Sequence, residues 1–190
     1  MGLQLHVAEV RSVQAGQKAP AWTKRLLLSL KAGRRSGRGG PVSALDQRAA
    51  AELYAHAICR ALGGDSHERK QLTKEVELAE SCRPHREAND ESEWASYVKA
   101  GGVPREVRGA FMVSESVDGS GPGQVLEEDI PKASRVLSVA EHWAALTAKG
   151  SPMLSQDEAL GDLDACAGRR YDPSVIQAAR LAVERGYVRP

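Results

Sequence analysis

The chain has 190 residues, 42% hydrophobic and 27% charged, with a formal net charge of +1. That length can bury a core without disulfide or metal staples, and with only 4% aromatic residues an interior rich in Ala, Leu and Val suits close-packed helices better than a sheet. No apolar run is long enough to span a bilayer, and three cysteines, Cys59, Cys82 and Cys166, without a CxxC spacing fit a reduced cytoplasmic protein.

The first ten residues lack a basic stretch, and Glu9 and Arg11 interrupt their apolar character, so a secretion signal is not expected. His6 stands where myristoylation wants Ser or Thr. Residues 1–43 carry Arg11, Lys18, Lys24, Arg25, Lys31, Arg34, Arg35 and Arg38 against Glu9 alone, which leaves the remainder acidic. The division is thus a basic N-terminal arm, 1–43, and a helical domain, 44–190. The arm is either docked on the acidic body or an anion-binding surface. Within it, Leu3 to Val7 alternate as a short strand would, Trp22 to Leu30 read as a short helix, and Gly33 to Pro41 form a Gly/Arg-rich, mobile loop.

A helix is expected from Ser43 to Leu62, capped by Ser43 or Asp46 and ended by Gly63-Gly64. A second runs from Ser66 to Cys82 with Leu72, Val76 and Leu78 as its apolar stripe, stopped by Pro84. A third spans Asp90 to Ala100, and a fourth Arg105 to Ser116 after Pro104. Asp118-Gly119-Ser120-Gly121-Pro122-Gly123 is a loop by composition, read as exposed and supporting little packing. From Pro131 to Lys149, Val136, Leu137, Ala140, Trp143 and Ala144 line one helical face, so the Trp143 indole should be buried. Ser155-Gln156-Asp157-Glu158 is a capping box with Leu154 and Ala159 as its staple. Asp172-Pro173 caps a last helix that runs to Arg185 and ends at Gly186. The reading is all-α, a bundle of six or seven helices.

Chemistry-bearing motifs are sparse. Cys82-x-x-His85 has a zinc-pair spacing but no second pair beside it, so no metal is assigned. HExxH, Walker A, a GxGxxG after a strand and GxSxG are all absent. Asp157-Glu158-Ala159-Leu160 has the letters of the EAL signalling motif, but here they belong to a capping box. Glu75, Glu77 and Glu80 read as a solvated helix face rather than a catalytic pair.

One set of motifs carries a resemblance. Glu115-Ser116-Val117-Asp118-Gly119-Ser120-Gly121 is followed by Ile130-Pro131-Lys132-Ala133-Ser134-Arg135-Val136-Leu137-Ser138-Val139-Ala140 and Ala145-Leu146. Leu154-Ser155, Glu158-Ala159-Leu160, Gly168 and Tyr171-Asp172-Pro173-Ser174-Val175-Ile176 come next. This run is similar to the second half of HD-GYP domains, whose pattern is close to HHERWDGSGYP, then IP, A-R-I-L, V-A-D, D-A-L and G-x-x-F-D-P-x-V. Ala51 to Gly63 resembles an early helix of that fold. The resemblance implies an HD-domain-like helical bundle and metal-dependent cleavage of cyclic di-GMP in bacterial signalling.

The departures bear on that activity. The family binds its metals through an early His, a His-Asp dipeptide, further histidines and the Asp of V-A-D. No histidine here is followed by Asp, Val113 and Ser114 replace the paired histidines, Glu141 replaces the Asp, and Gly-Tyr-Pro is reduced to Gly121-Pro122. Phosphodiester hydrolysis of this kind needs metals to generate hydroxide and neutralise charge, so neither catalytic residues, metal ligands nor a cofactor are assigned. The expectation is a pseudoenzyme serving as a protein-interaction module through Asp118, Gly119, Ser120, Gly121, Pro122 and Gly123, with a diguanylate-cyclase or other signalling domain as partner. Two alternatives stay open. Arg105 and Arg108 could serve a cyclic di-GMP sensor, or Arg34, Arg35 and Arg38 could serve nucleic-acid binding by the arm. No membrane insertion is expected.

Overall fold

The structure, a computed structural model, describes residues 46–83, 105–149 and 153–188. Helix α1, Gln47–Ala61, starts where the Asp46 carboxylate accepts a hydrogen bond from the Ala49 amide at 2.8 Å, satisfying a first-turn donor. Helix α2, Ser66–Ser81, opens on a capping box: Asp65 accepts from the His67 and Glu68 amides, and Glu68 accepts from the Asp65 amide. Helix α3, Arg105–Phe111, and a 3₁₀ turn, Glu127–Asp129, precede helix α4, Lys132–Thr147. Helices α5, Gln156–Ala165, and α6, Pro173–Glu184, complete the order. Among the described residues there is no strand, only isolated bridges between Asp118 and Leu126 and between Ala167 and Tyr171. The protein is all-α.

Helix α4 lies at the centre and packs against each of the other five helices. Its inward face is the one the spacing predicts, with Val136, Leu137, Ala140, Trp143 and Ala144 fully buried. Helix α1 is its main neighbour and brings a face of Ala50, Ala51, Ala55, Ala57 and Ala61 around Tyr54 and Ile58. Such small side chains let helix surfaces approach closely, so backbone and Cβ atoms supply much of the packing.

Three helices are tied by one buried polar cluster. The Tyr54 and Trp143 rings stack, with centroids 3.9 Å apart and planes within 5° of parallel. The Trp143 indole N–H donates to Gln156 Oε1 at 2.8 Å, and Gln156 Nε2 donates to the Tyr54 hydroxyl at 3.0 Å. That hydroxyl also pairs with Thr147 Oγ1 at 2.6 Å. Burial pushes the Tyr54 phenol above its ordinary pKa, which keeps it a neutral member of the network.

The end of α3 departs from expectation. The helix expected after Pro104 runs to Ser116, whereas the structure ends it at Phe111. The following amides leave the helical ladder: Glu115 N–H closes a turn on the Met112 carbonyl, and Val117 and Asp118 donate to the distant Arg170 and Arg169 carbonyls at 3.4 and 3.0 Å. Val113 and Val117 are buried by this path. The basic arm with its strand, helix and Gly/Arg loop, the Asp90 to Ala100 helix, and the position of the 43/44 boundary lie outside the described residues.

Candidate functional site

The Asp118 to Gly123 loop is built on Glu115. This carboxylate is buried, and its Oε1 accepts a hydrogen bond from the Gly123 amide at 2.6 Å. Gly121 and Gly123 press on it. A Cβ on Gly121 would stand 2.5 Å from Glu115 Oε2 and 2.6 Å from the Ser116 nitrogen, and one on Gly123 would overlap Glu115 Oε1. Gly119 turns the chain with φ +80°. At the rim, Asp118 Oδ1 accepts from the Ser120 amide at 2.9 Å. The Ser120 side chain and amide, with Arg169 nearby, hold the Asp118 carboxyl below its usual range. The expectation of an exposed, weakly packed loop is therefore corrected: only Asp118, Ser120 and Pro122 are exposed, Gly119 is half-buried, and Gly121 and Gly123 are interior. Glu115 displaces solvent from beneath the loop and its glycines make room for the carboxylate.

Behind the loop runs a narrow cleft lined in part by Glu115, Ser134, Arg135, Ser138, Tyr171 and Asp172. Arg135 Nη1 reaches Asp172 Oδ2 at 2.7 Å and Glu127 Oε1 at 3.0 Å, joining α4 to the caps of α6 and the 3₁₀ turn. Burial pushes the Tyr171 phenol to about 12. Glu115 Oε2, Arg135 Nε and Tyr171 Oη are enclosed without a hydrogen-bond partner among the described residues. The lining side chains close on one another and leave no room within the cleft even for a water molecule, far short of the ~300–1,000 Å³ of ordinary small-molecule sites.

The positions at which the HD-GYP resemblance places metal ligands have a different chemistry. Val113 is apolar and buried, Ser114 offers an alcohol, and Glu141 Oε1 lies 3.0 Å from Arg83 Nη2. The same Nη2 is 2.6 Å from Glu80 Oε1, and Arg83 Nε donates to Glu80 Oε2 at 2.9 Å. These side chains do not fit a centre of two or three metals, which needs several preorganised oxygen or nitrogen donors. Among the described residues no three His, Cys, Asp or Glu side chains gather in a way that could hold a metal ion. His6 and His85 lie outside them.

Glu80 is thus not on a solvated face: it is largely buried and paired. Arg83 and the anchoring role of Glu115 were not read from the sequence. The signals were there, an acid–arginine pair at i, i+3 and a carboxylate just ahead of a glycine loop, but both patterns are common on surfaces. Arg34, Arg35, Arg38 and the side chain of Arg105 lie outside the described residues. Arg108 is half-buried with its Nε enclosed, so it is not a plain surface charge.

Comparison with known proteins bears on the family. Residues 105–175 match the model of the HD domain. Among solved structures, Bd1817, an HDG"Y"P protein from Bdellovibrio bacteriovorus, superposes with a TM-score of 0.53 at 15% sequence identity. The alignment covers 73% of this chain and 51% of that one, so the chain spans about half the length of that protein. A comparison with curated proteins gave no match. The matched segment contains the glycine loop, the central helix and the Asp172-Pro173 cap, so this part of the chain is similar to an HD domain and its fold is like that of the HDG"Y"P protein.

Proposed function

We propose that this HD-GYP-like domain is non-catalytic and acts as a protein-interaction module in bacterial signalling, presenting Asp118, Ser120 and Pro122 to a diguanylate-cyclase or similar domain. The observation that carries the reading is the engagement of Glu141 by the Arg83 guanidinium, at 3.0 Å. A carboxylate so paired is a poor metal ligand, and without metal ions a phosphodiester has neither an activated hydroxide nor charge neutralisation at phosphorus. The small cleft behind the loop supports a protein partner over a retained cyclic dinucleotide. The loop supports recognition because its interior glycines and Glu115 fix the backbone from which the exposed side chains project.

The test has two arms. The full chain, loaded with Mn²⁺ or Fe²⁺, is expected to release no linear dinucleotide from cyclic di-GMP; turnover that a chelator abolishes defeats the reading. In the second arm, binding to a purified diguanylate-cyclase domain is measured for the native chain and for Asp118→Ala with Ser120→Ala. A loss of affinity of about tenfold or more at unchanged Tm is expected if these tips make the contact. The surplus of basic residues in 1–43 favours a second reading, nucleic-acid retention by that segment. Retention on DNA or RNA that falls steeply with salt, and vanishes when 1–43 is deleted, supports it.

A further inference from the structure

The mismatch between the metal-ligand pattern and the residues present points beyond simple loss. Arg83 lies just past the α2 C-cap, is buried, and places one nitrogen between two carboxylates from different helices, Glu80 of α2 and Glu141 of α4. Side-chain exposures are 9% for Arg83, 14% for Glu80 and 25% for Glu141. Two carboxylates this enclosed and this close repel one another and are poorly hydrated, so the fold needs a cation between them. We propose that the Arg83 guanidinium is that cation: a counter-charge encoded in the chain, held against Glu141, the residue at which the HD-GYP pattern places a metal ligand, and joining α2 to α4. This rests on the non-catalytic reading.

The arrangement has a chemical corollary. Glu80 Oε1 and Glu141 Oε1 converge on a single nitrogen, at 2.6 and 3.0 Å. Withdrawing the guanidinium would leave two carboxylates directed at one point, and carboxylate oxygens are the donors a hard divalent ion takes. The native chain should therefore ignore such ions, and a chain without Arg83 should respond to them.

Thermal unfolding of the full chain tests this, using Mn²⁺ alone as the probe. The native protein is expected to show the same Tm in EDTA and in millimolar Mn²⁺. Arg83→Met, which keeps an unbranched apolar stem, should lower Tm in EDTA by roughly 5–10 °C. Mn²⁺ should recover part of that loss in proportion to the logarithm of its concentration. Arg83→Met/Glu141→Gln, with one carboxylate neutralised, should be more stable in EDTA than Arg83→Met and should lose the Mn²⁺ response. Recovery by Mn²⁺ or by Glu141→Gln supports the proposal, including a single variant that folds only when so relieved. An Arg83→Met chain as stable as the native one overturns it, and so does one that neither change improves. Stoichiometric Mn²⁺ binding by the native chain would instead sink the non-catalytic reading itself.

Discussion

Gly121 shows how little room a single residue can have. Its missing side chain is the space occupied by Glu115 and the Ser116 amide, so Gly121→Ala forces backbone to move. A loss of about 1–3 kcal/mol in urea unfolding is expected; a change within about 0.5 kcal/mol, the size usual for free surface sites, would show that the loop relaxes freely. Trp143, fully buried against Tyr54, carries the opposite liability. Trp143→Ala should cost about 3–5 kcal/mol by the same measurement. Two further residues set the alkaline limit. Burial holds the Cys59 thiol and the Tyr171 phenol up to about 12, against ordinary values of 9.0 and 10.0. Between those limits the folded chain keeps protons that the unfolded chain has released, so the contribution is whole below about pH 9 and lost toward 12. The urea midpoint should fall across that window, and less so in Tyr171→Phe. A flat midpoint would mean that these groups ionise while folded.

At the scale of elements, the sequence was most readable where a helix announces its own start. The Ser155 to Glu158 capping box and the Asp172-Pro173 entry to α6 need only local spacing, and both are present as read. The buried stripe of α4, Trp143 included, follows from periodicity alone. The end of α3 was not readable, because what stops it is the Arg169 to Arg170 backbone, distant in sequence. The same holds at the site: the motif register placed Glu115, Glu141 and the glycines, but local pattern does not say that Glu80 and Glu141 share one arginine across two helices. Asp172 combines both kinds of information. It caps α6 through the Ser174 amide at 2.8 Å and receives Arg135 at 2.7 Å, almost fully buried. Asp172→Asn keeps a capping acceptor and removes the charge, whereas Asp172→Ala removes both. The alanine variant is expected to lose at least about 1 kcal/mol more than the asparagine one, and equal losses would mean that the cap contributes nothing.

For the whole molecule, the consequence lies in what the contact between α1 and α4 is made of. Where bulky residues meet, evolution can shorten one and lengthen its neighbour in small steps. Ala50, Ala51, Ala55, Ala140 and Ala144 leave almost nothing to shorten. Drift at these positions can run only toward larger residues, and each added methylene must find volume that close-packed helices do not hold. A tolerated enlargement on α4, such as Ala140→Val, should therefore appear only beside a reduction of one of the few larger residues that α1 buries, such as Ile58→Val. A library randomised on both helices would return survivors as correlated pairs, while one randomised on α4 alone would return the parent alanines.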